Sequence, residues 1–237
     1  MPALVLVEAC VESVEEARAA EAGGAARVEL CVGLAEQGIT PPDTLLADCL
    51  RSLTIPVCAM VRPRGGSFVY TAAEVAMMRE QIRRARARGA RGIVTGCLTE
   101  DGTVDTESTH ALVDAAGPLP VTYHRAFDLT RDWSEALEAL IALGIDRVLT
   151  SGGAATAVEG ADEIAKLVRQ AAGRISVMAG GGIRAHNVGA VVARSGVTEV
   201  HAHVTAVEDV MRLVRAATPP PFRLGSRPGA HRHDQPT

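Results

Sequence analysis

Two segments of the sequence each place a glutamate and a cysteine two residues apart in an apolar stretch. Glu8 and Cys10 end the segment LVLVEAC, and Glu29 and Cys31 end ARVELC. Because side chains of a β-strand alternate between its faces, each pair would share one face. Thiolates are soft ligands that favour Cu(I) and zinc, and Cu(I) can be held by only two of them. Cys10 and Cys31 are therefore candidate Cu(I) ligands.

Further polar residues follow the later apolar segments. His124 and Asp128 come after the segment VTY, in VTYHRAFD. Two carboxylates near a histidine can perform general acid/base chemistry, because one carboxyl raises the pKa of the other. We therefore predict Glu8, Glu29, His124 and Asp128 as catalytic residues, with His124 moving a proton and Asp128 orienting its ring.

The elements that must position these residues alternate regularly along the chain. About eight strand-like segments, each followed by a helix-like segment, run from LVLVEAC to TAVEDVMRLVRAA, and glycine usually ends the helix. The length of 237 residues is close to the roughly 250 residues of a (βα)8 barrel. We predict one α/β domain, a TIM-type barrel, over residues 1–217. A doubly wound open sheet would normally use fewer strands.

The last part of the chain has a different composition. Residues 218–237, TPPPFRLGSRPGAHRHDQPT, are rich in Pro, Gly, Arg and His and have no apolar period. Such a segment cannot bury enough apolar surface to fold on a core. We predict a flexible, disordered tail in which His231 and His233 are solvated.

A TIM barrel places its functional site at the carboxyl ends of its strands, where this sequence offers an anion site. Gly180, Gly181 and Gly182 follow the seventh predicted strand, and phosphate sites in this fold are often built after strands seven and eight. Arg62 and Arg64 follow the third strand and would add charge. Tight turns that need a positive φ explain the glycines equally well.

The candidate residues also have structural explanations, and the sequence leaves the choice open. Free cysteine often packs as a small hydrophobic residue, and adjacent barrel strands contribute to different interior layers, which would separate the two sulfurs. Ion pairs with Arg62 or Arg64 would explain Glu8 and Glu29 without catalysis. Cys97, just after the fourth predicted strand, fits the rim of the same site.

Composition limits the classes of function. The formal net charge of -4 and the pI near 6.0 provide no basic footprint for nucleic acid. The N-terminus lacks a basic signal region, and no apolar run approaches the about 18 residues of a spanning helix, so we predict a cytoplasmic protein without a membrane partner. Five cysteines without a CxxC pair indicate free thiols rather than a disulfide framework.

The chain is similar to the CutC family, named copper homeostasis proteins, in seven motifs that keep the family's order and spacing: VEACVES, RVELCVGLAEQGITP, VRPRGGSFVY, GIVTGCLTEDGTVD, VTYHRAFD, RVLTSGG and AGGGIR. The resemblance covers about residues 4–203. It implies a cytosolic TIM-type barrel that forms a homo-oligomer, a dimer or tetramer, and binds Cu(I) at the cysteines that match Cys10 and Cys31.

The sequence departs from the family's pattern near its end. Members usually continue from the eighth strand through a long loop, and small residues follow the histidine that matches His201. Here VHAHVTAVEDV passes almost directly into the last helix and places His203 after that strand. We predict that a lid or an intersubunit contact made by the long loop is missing from this chain.

Two functions therefore follow from the sequence. The first is a cytosolic copper homeostasis protein of the CutC type that binds Cu(I) through cysteines at the mouth of the barrel. The alternative is an enzyme that acts by general acid/base chemistry on a small phosphorylated or carboxylated metabolite. A purely structural barrel would leave the polar strand ends unexplained.

Overall fold

The computed structural model describes residues 4–218, in which eight parallel strands form one closed barrel. The strands are β1 (Leu6–Val11), β2 (Arg27–Leu30), β3 (Val57–Met60), β4 (Gly92–Thr95), β5 (Val121–Tyr123), β6 (Arg147–Thr150), β7 (Ser176–Gly180) and β8 (Glu199–His203). Each strand pairs with the next along the chain, and β8 pairs with β1 to close the barrel. The predicted TIM-type fold is confirmed.

One helix follows each strand and packs outside the barrel. The helices are α1 (Val14–Ala22), α2 (Asp43–Ser52), α3 (Ala72–Arg88), α4 (Thr106–Ala116), α5 (Trp133–Ala142), α6 (Ala161–Ala171), α7 (Val188–Ser195) and α8 (Val207–Ala217). Short 3₁₀ helices span Leu34–Glu36 and Arg125–Leu129. Apolar side chains buried between strands and helices form the main core.

The helix starts follow local capping chemistry, with two differences from the sequence pattern. Ser13 accepts a hydrogen bond from the N–H of Glu16 at 3.1 Å and so caps α1. Thr40 and Thr205, whose residue type favours the N-cap position, lie just before α2 and α8 but do not cap them, because α2 begins after Pro42 and α8 begins after Ala206. The Thr40 hydroxyl instead donates to the carbonyl of Arg62 at 3.0 Å and accepts from the N–H of Arg62 at 2.9 Å.

The interior of the barrel contains a charged layer near the amino ends of the strands. Arg27 pairs with Glu8 and with Glu199, and Arg147 pairs with Glu199 at 2.6 Å. We call Glu8, Arg27, Arg147 and Glu199 the floor network. An apolar cluster lies above it, composed of Cys10, Cys31, Cys58, Met60 and Val94.

The sequence also led to predictions about the C-terminal segment and about membrane-spanning helices. The predicted C-terminal tail lies, apart from Thr218, outside the described residues. Within residues 4–218, no helix is long and apolar enough to cross a membrane.

Candidate functional site

A cavity of about 250 Å³ opens at the carboxyl ends of the strands. We call it the mouth cavity. The predicted site residues that line it are Cys10, Glu29, Arg62, His124, Gly181 and Gly182. Those that do not line it are Glu8, Cys31, Arg64, Asp128 and Gly180. It is also lined by polar residues that were not predicted as site residues, namely Gln37, Arg125, Arg184, His201 and His203.

The two predicted copper ligands are in direct contact. The Sγ atoms of Cys10 and Cys31 lie 3.6 Å apart, and both residues are buried. The N–H of Cys31, just after β2, donates to the carbonyl of Val11 at 3.1 Å, which holds Cys31 against β1. Sulfurs that share one ion at roughly the 2.3 Å of a zinc–sulfur bond lie within about 4.6 Å, so the pair fits one soft metal ion.

The Cys10 thiol keeps its proton in this environment. Its hydrogen bond with Cys31, its burial and the nearby Glu29 carboxyl together raise the pKa of Cys10 well above its usual value. A metal ion that binds here must therefore displace a proton from Cys10. The residues that could hold a metal include Glu29, whose Oε1 lies 3.6 Å from the Cys10 sulfur.

Glu29 and Glu8 are both buried, yet their surroundings shift the pKa values of their carboxyl groups in opposite directions. Burial raises the pKa of Glu29, and the Oε2 atom of Glu29 has no hydrogen-bond partner among the described residues. Burial also raises the pKa of Glu8, but the hydrogen bond with His201 and the charge of Arg27 outweigh it and lower that pKa to about 2. The prediction that Arg62 or Arg64 neutralises Glu8 is wrong, because Arg27 does so.

His201 connects Glu8 with the mouth cavity. Its Nδ1 lies 2.8 Å from Glu8 Oε1, and its Nε2 lies 4.0 Å from Glu29 Oε1. Burial lowers the pKa of His201, but the charges of Glu29 and Glu8 outweigh it and raise that pKa. A carboxylate on Nδ1 fixes the ring and leaves Nε2 facing the cavity, which is an arrangement suited to proton transfer.

His124 is buried at the start of the 3₁₀ helix Arg125–Leu129. Its Nδ1 accepts a hydrogen bond from the N–H of Ala126 at 3.2 Å, and its Nε2 has no partner among the described residues. Its ring packs against Phe68, and a Cβ at Gly96 would lie 2.7 Å from it, so only glycine leaves the space. Burial and the charge of Arg62 lower the pKa of His124 to about 3.

The predicted pairing of His124 with Asp128 is wrong. In a 3₁₀ helix, side chains three residues apart are aligned, and Asp128 therefore pairs with Arg125 at 2.8 Å. Asp128 also accepts hydrogen bonds from the hydroxyl and the backbone N–H of Ser151, at 3.0 and 3.1 Å, and one from the Thr150 hydroxyl. Asp128 thus joins the end of β6 to Arg125 and positions the Arg125 guanidinium.

Arg62 and Arg64, the two arginines after β3 that were predicted to bind an anion, are held in different places by the protein. Arg62 is 2% exposed, and its guanidinium donates to the carbonyls of Glu36, Gly38 and Gly66. Arg64 pairs with Glu74 at 2.5 Å, and it packs over a tyrosine ring outside the cavity. The structure therefore does not bring Arg64 to the predicted anion site, because the capping glutamate of α3 holds it elsewhere.

The glycines after β7 meet a conformational requirement. Gly181 and Gly182 have φ values of 105° and 70°, a region that side chains rarely adopt. At Gly180 a Cβ would lie 2.5 Å from a side-chain carbon of Leu149, so a side chain there would clash.

Cys97 was predicted at the rim, but it is fully buried in the main core, so that prediction is wrong.

The end of the barrel matches the predicted short connection. Only residues 204–206 separate β8 from α8, and His203 lines the mouth cavity at the end of β8. His201, Arg125 and Arg184 were missed as site residues, although Arg125 and Arg184 follow strands and His201 lies at the centre of β8. The signal available in the sequence was position alone, because strand ends converge in this fold.

Comparison with known sequences identifies the family of this arrangement. The CutC family model matches residues 5–206. A copper homeostasis protein cutC homolog of Homo sapiens is 49% identical over 204 residues, which are 86% of this chain and 75% of that protein. A family protein CutC of Mesorhizobium japonicum is 46% identical over 216 residues, which are 91% of this chain and 83% of that protein.

Solved structures agree with this result. CutC from Streptococcus agalactiae has a TM-score of 0.81 and 34% identity, and the match covers 86% of this chain and 99% of that one. N-(5'-phosphoribosyl)anthranilate isomerase from Pyrococcus furiosus has a TM-score of 0.58 and 18% identity over 90% of this chain and 98% of that one, a likeness of fold alone. Because the family model and the relatives cover most of its length, the chain belongs to the CutC family.

Proposed function

We propose that this protein binds Cu(I) through Cys10 and Cys31 and takes part in copper homeostasis. The observation that carries the proposal is the 3.6 Å separation of the two sulfurs, since Cys10 lines the mouth cavity and Cys31 lies directly behind it. Thiolates select soft ions such as Cu(I), and both sulfurs belong to the buried apolar cluster, which limits the access of water to them. The thioether of Met60, in the same cluster, is a further soft donor.

Binding requires the thiols to lose their protons. When one Cu(I) ion forms bonds to both sulfurs, two protons leave, and the buried group gains a net charge of minus one. The affinity for Cu(I) therefore increases with pH. Buried free thiols persist in a reducing compartment, which supports a cytoplasmic location, and the family resemblance supports a homo-oligomer.

The experiment is a Cu(I) titration against a competing chelator in wild type, Cys10→Ala and Cys31→Ala. Each substitution should weaken Cu(I) binding by more than about a hundredfold, because a lost ligand costs more than the tenfold to hundredfold of a lost supporting contact. Cys97→Ala is the matched control, since that cysteine is buried in the main core. Equal affinity in all four proteins would reassign Cys10 and Cys31 to packing.

A second candidate function is general acid/base chemistry on a small metabolite. It is favoured by the carboxylate that holds His201 at Nδ1 and leaves Nε2 4.0 Å from Glu29. In that arrangement Glu29 and His201, rather than His124 and Asp128, would exchange a proton with the substrate. Its test is a screen of phosphorylated and carboxylated metabolites, in which turnover by wild type must be lost in His201→Gln.

A further inference from the structure

Residues that line the mouth cavity carry several of the buried polar atoms that lack a partner. Within residues 4–218, six buried side-chain nitrogen or oxygen atoms have no hydrogen bond. Three of them, Glu29 Oε2, Arg62 Nε and His124 Nε2, belong to residues that line this one cavity. Buried polar groups without partners reduce stability, so their occurrence on three residues of one cavity wall supports a polar ligand at that wall.

The hydrogen bonding of His124 determines which ring nitrogen carries the proton. Nδ1 accepts from the backbone N–H of Ala126, so it cannot itself be protonated in this geometry. The proton of the neutral ring is therefore on Nε2, which is the atom without a partner. His124 thus presents one unused N–H donor, and the low pKa of about 3 keeps the ring uncharged at neutral pH.

Arg125 places a second unused donor beside the glycine turn. Asp128 accepts from its Nε at 2.8 Å, and the Ser151 hydroxyl accepts from its Nη2 at 2.8 Å. The Nη1 of Arg125 donates no hydrogen bond to any residue that the structure describes. A Cβ built on Gly181 would lie 3.5 Å from this Nη1, so the free end of the guanidinium reaches the turn after β7.

We propose that the mouth cavity binds a small oxyanion, a carboxylate or a phosphate group, between His124 and Arg125. His124 donates its Nε2–H to a ligand oxygen as a neutral group, and the Arg125 guanidinium supplies the charge through Nη1. Arg184, also in the lining, adds a second positive charge, whereas Glu29 is the only acidic residue of the lining. The cavity of about 250 Å³ limits the ligand to a small metabolite.

This inference does not depend on the copper proposal. It rests on the second candidate function in one respect, because the anion bound here would be the substrate that such chemistry needs. Binding is measured here without turnover, so the failure of either proposal can be distinguished from the failure of this one. A Cu(I) chelator is present in every titration.

The first measurement is the state of the His124 ring in ¹⁵N-labelled protein. A long-range ¹H–¹⁵N spectrum distinguishes the two ring nitrogens, and the spectrum of His124→Gln identifies the signals of His124. We expect a neutral ring with its proton on Nε2, without change between about pH 7 and about pH 5. A proton on Nδ1, or protonation of the ring within this range, would overturn the proposal.

The second measurement is binding of two probes, inorganic phosphate and malonate, which separates a phosphate ligand from a carboxylate. At least one should shift the Nε2 signal saturably. Arg125→Met should weaken that binding by about tenfold or more, as expected for a lost charged hydrogen bond. Arg64→Met removes the same charge at the same end of the barrel but outside the cavity, and should leave it unchanged. The proposal fails if neither probe shifts the signal, or if both variants weaken binding equally.

Discussion

The floor network and the mouth cavity contain the same kinds of charged side chains but treat them differently. In the floor network, Arg27 bridges Glu8 and Glu199, and Arg147 adds a second contact to Glu199. In the mouth cavity, Glu29, Arg62 and His124 each keep one buried polar atom without a partner. Both regions lie inside one barrel, about one layer of side chains apart.

The difference indicates separate roles. A buried charge is tolerated when it is paired, whereas an unpartnered buried group lowers stability unless a ligand or water completes it. The floor network therefore stabilises the barrel, and the mouth cavity is arranged to bind. His201 belongs to both regions, because its Nδ1 bonds to Glu8 and its ring lines the cavity.

Arg27→Met should produce the largest loss of stability. The substitution leaves Glu8 with His201 as its one remaining partner among the described residues and removes one of the two arginines from Glu199. Breaking a buried ion pair costs about 3–5 kcal/mol. The measurement is the free energy of unfolding in denaturant. Arg184→Met, at an exposed mouth position, is the matched control and should change it by less than about 0.5 kcal/mol. Equal losses would mean that the floor network has no special structural role.

Arg62→Met should have an intermediate effect and sharpens the comparison, because Arg62 lines the mouth cavity and keeps Nε without a partner, yet both of its terminal nitrogens donate to backbone carbonyls. Three loop carbonyls, those of Glu36, Gly38 and Gly66, would lose their donor. We expect a loss of about 2 kcal/mol in the free energy of unfolding. Amide hydrogen exchange near residues 36–38 should also accelerate. Unchanged exchange there would show that Arg62 does not hold this loop.

The fold could be predicted from the sequence because its signals are local. Apolar strand segments, helix periodicity and glycine stops recur in each of the eight units, and neighbouring strands pair in chain order. The contact between Cys10 and Cys31 was left open by the sequence, because adjacent barrel strands were expected to place the two sulfurs in different layers. Cys10 lies near the end of β1 and Cys31 just after β2, and the sulfurs meet although Glu29 is the register partner of Cys10.

The partners of the charged residues could not be predicted in this way. Arg27 contacts Glu199, which lies 172 residues away, and the closure of the barrel brings them together, because β2 and β8 both pair with β1. Whether an arginine after a strand enters the mouth depends on loop geometry, and Arg64 is captured by the capping glutamate of the next helix. The spacing of His124 and Asp128 suggested a pair, but the 3₁₀ turn gives Asp128 to Arg125 instead.

The smallest expected effect concerns the two glutamates on the neighbouring strands β1 and β2, which should respond to pH with opposite signs. The folded-state pKa of Glu8, about 2, lies below the ordinary 4.5, so its ionised form stabilises the fold above pH 4.5 and this contribution is lost as pH falls towards 2. The folded-state pKa of Glu29 is raised above 4.5, so its ionisation lowers stability progressively as pH increases from 4.5.

Glu29→Gln should therefore be more stable than wild type by about 1 kcal/mol at about pH 8, and this advantage should shrink at about pH 5. Glu8→Gln should be less stable than wild type at both pH values and more so at about pH 5, because Glu8 raises the pKa of His201 and the charged His201 then loses its carboxylate partner. Denaturant unfolding of the three proteins at the two pH values measures both differences. A pH-independent effect of Glu29→Gln, or a stabilising effect of Glu8→Gln, would contradict the division between a paired floor and an unsatisfied mouth. If both signs are as expected, the boundary between the floor network and the mouth cavity lies between Glu8 and Glu29. These two carboxyl groups are on neighbouring strands but at successive levels of the barrel, because Cys10 and not Glu8 is the register partner of Glu29.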